Sequence, residues 1–479
     1  MIGDLGAMDA TALAAMVAKG AVSPTELLDA ALAAVDQRNP AINAVVLVQE
    51  EVARRSIADG LPRGAFRGVP FLIKDLGCEA RDFPSHNGSR LLAGTRYGRD
   101  SAIFDRLRAT GVVTFGRTTS PEGGIGAATE SAVYGGPTRN PFSLGHTSGG
   151  SSGGAGAAVA AGIVSFAHGS DGGGSVRIPA SNCNLFGFKP TRARLPDGPY
   201  AGEGWAGMAI DGFLTRSVRD TATMLDACEG ADLGAPYAAP PLLHGHAAAI
   251  ARPPRRLRIA VCDTTLTGTP IHPEVAAAVN AAARLLETLG HHVEPGYPAR
   301  ADVPMMMRAW TDIVAVGTAL SIRSALKGRD LTEDDVEPVG RGAVAHAATL
   351  DPLRYLQAVG EIHAFGRQMA QYFATGPDIL LSATLAEPPA RVGRFSHNRP
   401  DYVDYRTGPD GIFAYSPVCA VFNASGQPAA SVPLAMSQDG LPIGIHLAAP
   451  FGADEDLISL CAEIEAASPW AHIRAPLAG

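Results

Sequence analysis

Residues 145–175 hold the densest glycine and serine in the chain, including "TSGGSSGGAG" at 147–156 and "SDGGGS" at 170–175. On composition alone such a stretch is a flexible linker. Yet it contains "GAGAAVAAGIVSFAHGSD", a small-residue helix running into an apolar strand. A linker does not continue into core. The run is therefore predicted to be a packed part of the interior, with backbone where side chains would obstruct. That requires a large fold with both sides of the segment covered.

The rest of the chain supplies such a fold. Its 479 residues are 46% hydrophobic and 18% charged, which fits a folded chain and excludes disorder. The run "GVPFLIKD" (68–75) reads as a short buried strand with Lys74 at its exit. "SAIFDRLRATG" is helical and "VVTFGRT" a strand. This alternation predicts an α/β protein: a large mixed, mostly parallel central sheet covered by helices on both faces. The N-terminal segment, about 1–65, is helical. Asp9 opens "DATALAAMVAKG", and Ser23, Pro24 and Glu26 form a capping box for the next helix. A core follows over about 66–230, then an exposed connection over about 235–256, and a C-terminal part over 257–479. Within the last, "HPEVAAAVNAAARLLETLG" is a helix ended by Gly290, and 303–375 are helical. "PDILLSATLAEPPA" and "SGQPAASVPLAMSQDGLPIGIHLAAP" are strands returning to the sheet. All of this is expected to form one domain, 1–479.

Charge and cysteine usage exclude several function classes. A net charge of −8 gives no electrostatic footprint for nucleic acid or an anionic membrane. No run approaches the apolar length of a membrane span, and Asp4 and Asp9 break the order of a signal peptide. The six cysteines are scattered without a CxxC pair, which predicts reduced thiols in a cytoplasmic protein. Neither His291–His292 nor His244 with His246 has a third ligand at metal spacing, so no metal is expected.

Ser175 is the candidate nucleophile. Acyl transfer needs hydrogen-bond donors aimed at the developing oxyanion. Three glycines before a serine let successive N–H groups turn inward, so the amides of Gly172, Gly173, Gly174 and Ser175 are candidates for that role. A G-x-S-x-G elbow is not present at this serine. His168 lies too close in sequence to line up easily as a base, and more simply reads as structural. Lys74, at the end of an apolar strand, is a better base, because burial lowers a lysine pKa; the simpler alternative is an ion pair with Asp75. Glycines on both sides of Ser151 and Ser152 permit unusual backbone geometry, and a serine held there would bridge Lys74 and Ser175 as a proton relay.

In order and wording, "GVPFLIKD", "GGSSGG", "DGGGSVRIPAS" and "GFKPT" resemble the amidase signature family. "SPTELL", "TRSVRDTA" and the C-terminal "PAASVPLAMSQDGLPIGIHLAAP" extend the resemblance over nearly the whole chain. The resemblance implies a Ser–cis-Ser–Lys triad of Ser175, Ser151 and Lys74. It implies that Ser152 supports the relay, that Asp171 and Arg177 brace the loop, and that Lys189 is structural. It implies no cofactor and a small-molecule amide as partner, and leaves a homodimer open. "SDGGGS" departs from the "TDTGGS" of many members at Gly172. The wording is closest to the branch of 6-aminohexanoate cyclic dimer hydrolase, aryl acylamidase and urethanase. That branch implies bulky, largely uncharged amides, with esters and carbamates as further substrates. The alternatives are a glutaminase subunit of a tRNA-dependent amidotransferase and a non-catalytic binding module. Gly124, Ile125 and Gly150 are expected in the substrate pocket by motif position; "PMMMRAW" (304–310) is either an adaptable apolar wall or, as residues at helical spacing more often are, core.

Overall fold

Thirteen strands organise the computed structural model, which describes residues 8–478. Asp4 lies outside the described residues. The strands are β1 (Val45–Val48), β2 (Pro70–Lys74), β3 (Val113–Thr118), β4 (Arg139–Asn140), β5 (Ser143–Thr147), β6 (Phe166–Asp171), β7 (Phe186–Lys189), β8 (Ile210–Thr215), β9 (Arg258–Val261), β10 (His292–Pro295), β11 (Ile379–Ala383), β12 (Ala429–Met436) and β13 (Pro442–Ala448). Eleven of them form one sheet in the order β1-β3-β2-β6-β8-β7-β12-β13-β11-β9-β10, and β4 and β5 pair separately. The sheet draws strands from both sides of the exposed 235–256 connection.

The sheet is mixed and covered on both faces, as the strand–helix alternation predicts. Alternate side chains of one strand point to opposite faces. Ile259, Ile379, Leu381, Ala430 and Leu447 enter one apolar cluster, with the helices Pro24–Ile42, Pro273–Thr288 and Asp454–Ala467. Ala260, Leu380, Ala429 and Ala448 enter the other, with the helices Val303–Leu326, Pro338–Ala348 and Pro352–Thr375.

Parallel ladders join β2 to β3 and β6, and β9 to β10 and β11. The remaining ladders of the sheet are antiparallel. The parallel share is therefore smaller than the alternation implies, for a physical reason. The helix Arg177–Asn182 carries the chain from β6 to β7 as expected, but β8 returns from a long loop and inserts between them, antiparallel to both. At the C-terminal end, β12 and β13 are joined by the short Asp439–Gly440 turn, with Gly440 at φ +73°.

Local signals are realised where they were strongest. Ser23 and Glu26 close the capping box, and Pro24 begins that helix. Asp9 caps Ala10–Ala18 by accepting from the Ala12 N–H. All eight residues of Gly153–Ala160 are buried, so the glycine-rich run is interior. Among the described residues no helix is long and apolar enough to cross a membrane.

Candidate active site

Three segments converge at the ends of β2 and β6. Lys74 is the last residue of β2, where Phe71, Leu72 and Ile73 are fully buried. Ser151 and Ser152 precede the helix Gly153–Ala160. Ser175 follows β6, ahead of the helix Arg177–Asn182.

Lys74 is fully buried, and its Nζ lies 2.6 Å from Ser151 Oγ and 3.0 Å from Ser170 Oγ. Among the described residues it has no carboxylate within ion-pair range. Asp75 is turned away: it accepts from the Tyr134 hydroxyl at 2.6 Å and the His86 N–H at 3.1 Å, with Arg117 at 3.9 Å. The ion-pair alternative for Lys74 therefore fails. Burial pushes the Lys74 amine down to about 7, against the opposing pull of the Asp211 and Asp171 carboxylates.

The Gly150–Ser151 peptide is cis. Ser151 and Ser175 both open onto one cavity of about 500 Å³, and Ser175 keeps 8% exposure. Their hydroxyls are not hydrogen-bonded to each other, so the structure brings together the lysine and first serine but leaves the second link unmade. Among the described residues Ser152 makes no hydrogen bond to either hydroxyl. Its Oγ donates to the Ser170 carbonyl and accepts from the Ser170 N–H, and its N–H donates to the Ser175 carbonyl. Ser152 thus ties the two loops together by their backbones.

The loop before Ser175 is held by Asp171. Its carboxylate accepts from the N–H groups of Gly174 (2.7 Å) and Val176 (3.2 Å), and from Arg177 through Nε and Nη2. Burial acts to raise this carboxyl, but the Arg177 charge and its hydrogen bonds outweigh it and hold it well below the usual range. Arg177 also donates to the Cys419 carbonyl and to Asn423. Asp171 and Arg177, the pair expected to brace the loop, are thus joined by two hydrogen bonds. Asp171 also removes one expected oxyanion donor: the Gly174 N–H is committed to its carboxylate. The amides of Gly172, Gly173 and Ser175 carry no such bond among the described residues.

The glycines answer to two tryptophans. A Cβ on Gly172 would sit 2.6 Å from the Trp205 ring, and one on Gly173 would sit 2.9 Å from Trp310. Trp310 Nε1 donates to the Gly172 carbonyl at 3.1 Å. Gly174 has φ +122°, a conformation open to glycine alone.

His168 is not poised as a base. Its Nδ1 accepts from the Lys74 N–H at 3.3 Å, which leaves the proton on Nε2, 3.1 Å from Asp211 Oδ1. Lys189 is also buried, and burial pushes it down to about 7, but its Nζ donates to the Pro190 carbonyl and meets no site serine.

Residues 26–458 match the model of the family described as Amidase. The chain belongs to the amidase family. Over 478 residues this amidase is 37% identical to the 6-aminohexanoate-cyclic-dimer hydrolase of Paenarthrobacter ureafaciens, across 98% of this chain and 96% of that protein. It is 36% identical to the putative amidase AmiC of Mycobacterium tuberculosis (strain ATCC 25618 / H37Rv), across 98% and 97%. The solved structure of 6-aminohexanoate cyclic dimer hydrolase complexed with substrate superposes with a TM-score of 0.93 at 36% identity, covering 99% of this chain and 100% of that one. A bacterial aryl acylamidase of the amidase signature enzymes superposes at 0.88 and 31% identity, covering 100% and 99%.

Of the three residues expected in the amidase cavity, two line it. Gly124 and Ile125 line it. Gly150 does not: it packs on the backbone of residues 126–128, where a Cβ would lie 2.6 Å from the Gly126 carbonyl oxygen. The methionines of "PMMMRAW" are core, with Met306 fully buried. Their helix meets the cavity two turns beyond Trp310, through Gly317, Thr318, Ser321 and Ile322. Sequence reasoning also missed Ser170, Trp205, Glu79, Glu122, Asp197 and Asp211. Only Ser170 stood inside a motif already quoted.

Proposed function

We propose that this amide hydrolase works through a Ser175 acyl-enzyme, with Ser151 as relay and Lys74 as base. The observation that carries the reading is a fully buried lysine whose Nζ, among the described residues, is hydrogen-bonded only to hydroxyls, at 2.6 Å and 3.0 Å. A lysine in that setting is held near neutrality, and its lone pair accepts the Ser151 proton. Ser151 in turn takes the Ser175 proton as Ser175 attacks the substrate carbonyl. The Ser151–Ser175 bond forms once substrate is seated, since catalytic hydrogen bonds tighten in the loaded enzyme. The Gly172, Gly173 and Ser175 amides receive the oxyanion. The proton returns through Ser151 to the departing nitrogen as the C–N bond breaks. Water then repeats the sequence on the ester and frees the acid.

The substrates are bulky amides, including aryl and oligomeric ones, with esters and carbamates as easier or parallel cases. The two structural relatives named above and a mostly apolar cavity of about 500 Å³ support that class. Six buried free cysteines support a reducing, cytoplasmic setting. A fluorophosphonate probe tests the centre. We expect one adduct on Ser175, lost in Ser175→Ala and strongly slowed in Lys74→Ala. Labelling elsewhere, or at an unchanged rate without Lys74, would refute the assignment.

A further inference from the structure

Trp205 has the largest side chain on the cavity wall and is half-buried, whereas Trp310, which it meets edge-on, is 3% exposed. Two glycines on separate segments make room for its ring. A Cβ on Gly172, in the loop before the nucleophile, would stand 2.6 Å from Cζ3. Gly317 lies inside the helix Val303–Leu326, where alanine is the better helix former. A Cβ there would stand 2.9 Å from Trp205 Cδ1 and 3.2 Å from Nε1, and would meet no other segment within 4 Å. Both glycines line the cavity with Trp205. The indole therefore spans from the oxyanion loop to the helix, and the missing side chain of Gly317 serves that ring alone. The turn that carries Trp205 is also a partition: Pro196, Asp197 and Ala209 line both this cavity and a small second one, which Gly207 enters. Trp205 and Ala206 have φ +51° and +52°. Non-glycine residues hold that region only where their surroundings impose it, and such residues cluster at ligand-binding sites. Asn423 Nδ2 donates to the Met208 carbonyl of the turn at 3.0 Å and to the Asp171 carbonyl at 2.9 Å, which ties the turn to the oxyanion loop. Trp310 and Trp470 each donate the indole N–H to a backbone carbonyl. Trp205 makes no such bond among the described residues, so its ring is held in place by packing against the two glycines.

We propose that Trp205 is a specificity-determining residue: its ring sets the width of the substrate group that the cavity admits beside the oxyanion loop, and Gly317 fixes where the ring stands. The proposal rests on the reading of Ser175 as the acylating residue and adds the shape of the substrate to it. A group wider than the space left by the ring must push it toward Gly172 or Gly317, where the packing is already at contact. Movement toward Gly172 displaces the amides that receive the oxyanion, so a misfit costs turnover as well as binding. Substrate width is thereby read at the reacting centre.

Two series of amides test this. One carries an n-butanoyl, benzoyl or 1-naphthoyl group on p-nitroaniline, and the other carries aniline or 1-naphthylamine on an n-butanoyl group. The quantity read for each protein is the ratio of kcat/KM for the widest compound to that for the narrowest. In at least one series we expect Trp205→Ala to raise this ratio about tenfold over the wild type. A tryptophan that only supports the fold would lower all compounds alike and leave the ratio where it was. Gly317→Ala presses on the ring and should lower the ratio about threefold, and it should have no effect on the ratio once Trp205→Ala has removed the ring. Trp205→Phe, with a smaller ring, should raise the ratio by less and takes the place of the alanine variant if that fails to fold. A ratio within about twofold of the wild-type value for the Trp205 variants in both series would overturn the proposal. So would a Gly317→Ala effect that is the same with and without the ring. If no compound is hydrolysed, the acyl-enzyme reading fails instead. Calorimetric binding of the same compounds to the same proteins then decides the role of Trp205 by the same ratios.

Discussion

Lys74 Nζ lies 2.6 Å from Ser151 Oγ, and among the described residues no carboxylate neutralises it at ion-pair range. The protein has therefore removed the lysine from water without giving it a counter-ion. The neutral amine is the working form, and it exists above the depressed pKa of about 7. We expect kcat/KM for a neutral amide to rise with pH through about 7 and then level. Lys74→Ala should cut the rate and abolish that step. A profile that keeps its inflection in the variant would assign the titration to another group.

The relay has a sharper signature than its absence. An amine must be protonated to leave, whereas an alkoxide or phenolate leaves more readily unaided. Ser151→Ala should lower kcat on an anilide by roughly 10²–10⁴-fold, and lower kcat on the matching activated ester by markedly less. Steady-state rates on the matched pair measure the difference. Equal losses on both would restrict Ser151 to activating Ser175.

His168 is the competing base, and its hydrogen bonds argue against it. One ring nitrogen accepts from the Lys74 backbone and the other faces Asp211. His168→Ala leaves the buried Lys74 N–H unpaired, which costs about 1–3 kcal/mol. Denaturant unfolding should report that loss, while activity should stay well above that of Ser175→Ala. Inactivation as complete as for Ser175→Ala, in folded protein, would restore a conventional histidine base.

What was legible in the sequence follows from what local chemistry can encode. Ser23 and Glu26 close a cap three residues apart, and "GVPFLIKD" is buried on both sides wherever it lies, so these elements were readable. The direction of the central ladders was not. It depends on β8 entering between β6 and β7 after a long loop, and nothing in "IDGFLT" states its neighbours. At the site, the Asp171–Arg177 brace was expected from the family resemblance alone, not from the residues themselves. The fate of the Gly174 N–H was not legible, because the turn that carries it to Asp171 is set by folding of the whole loop. The acidic lining was hidden for a similar reason: Glu79, Glu122, Asp197 and Asp211 lie on separate segments and meet only across the cavity.

Gly172 is where the chain departs from the "TDTGGS" pattern that the family resemblance implies, and Trp205 fills the place of the missing side chain. A Cβ at 172 would stand 2.6 Å from the Trp205 ring, and Trp205 in turn packs edge-on against Trp310, whose indole N–H holds the Gly172 carbonyl. The missing side chain is thus replaced by a ring from another segment, and the loop remains fixed. Gly172→Thr alone must displace that ring, and overpacking of this kind costs about 1–3 kcal/mol. We expect lower stability and a fall in kcat as the oxyanion amides shift. Trp205→Ala alone opens a void beside the loop and should also destabilise. The two substitutions together restore contact with a side chain of the residue's own, so the double variant should be more stable and more active than additivity of the single changes predicts. Denaturant midpoints and kcat for the four proteins of the cycle measure the coupling. Strict additivity would mean that Trp205 does not stand in for the threonine.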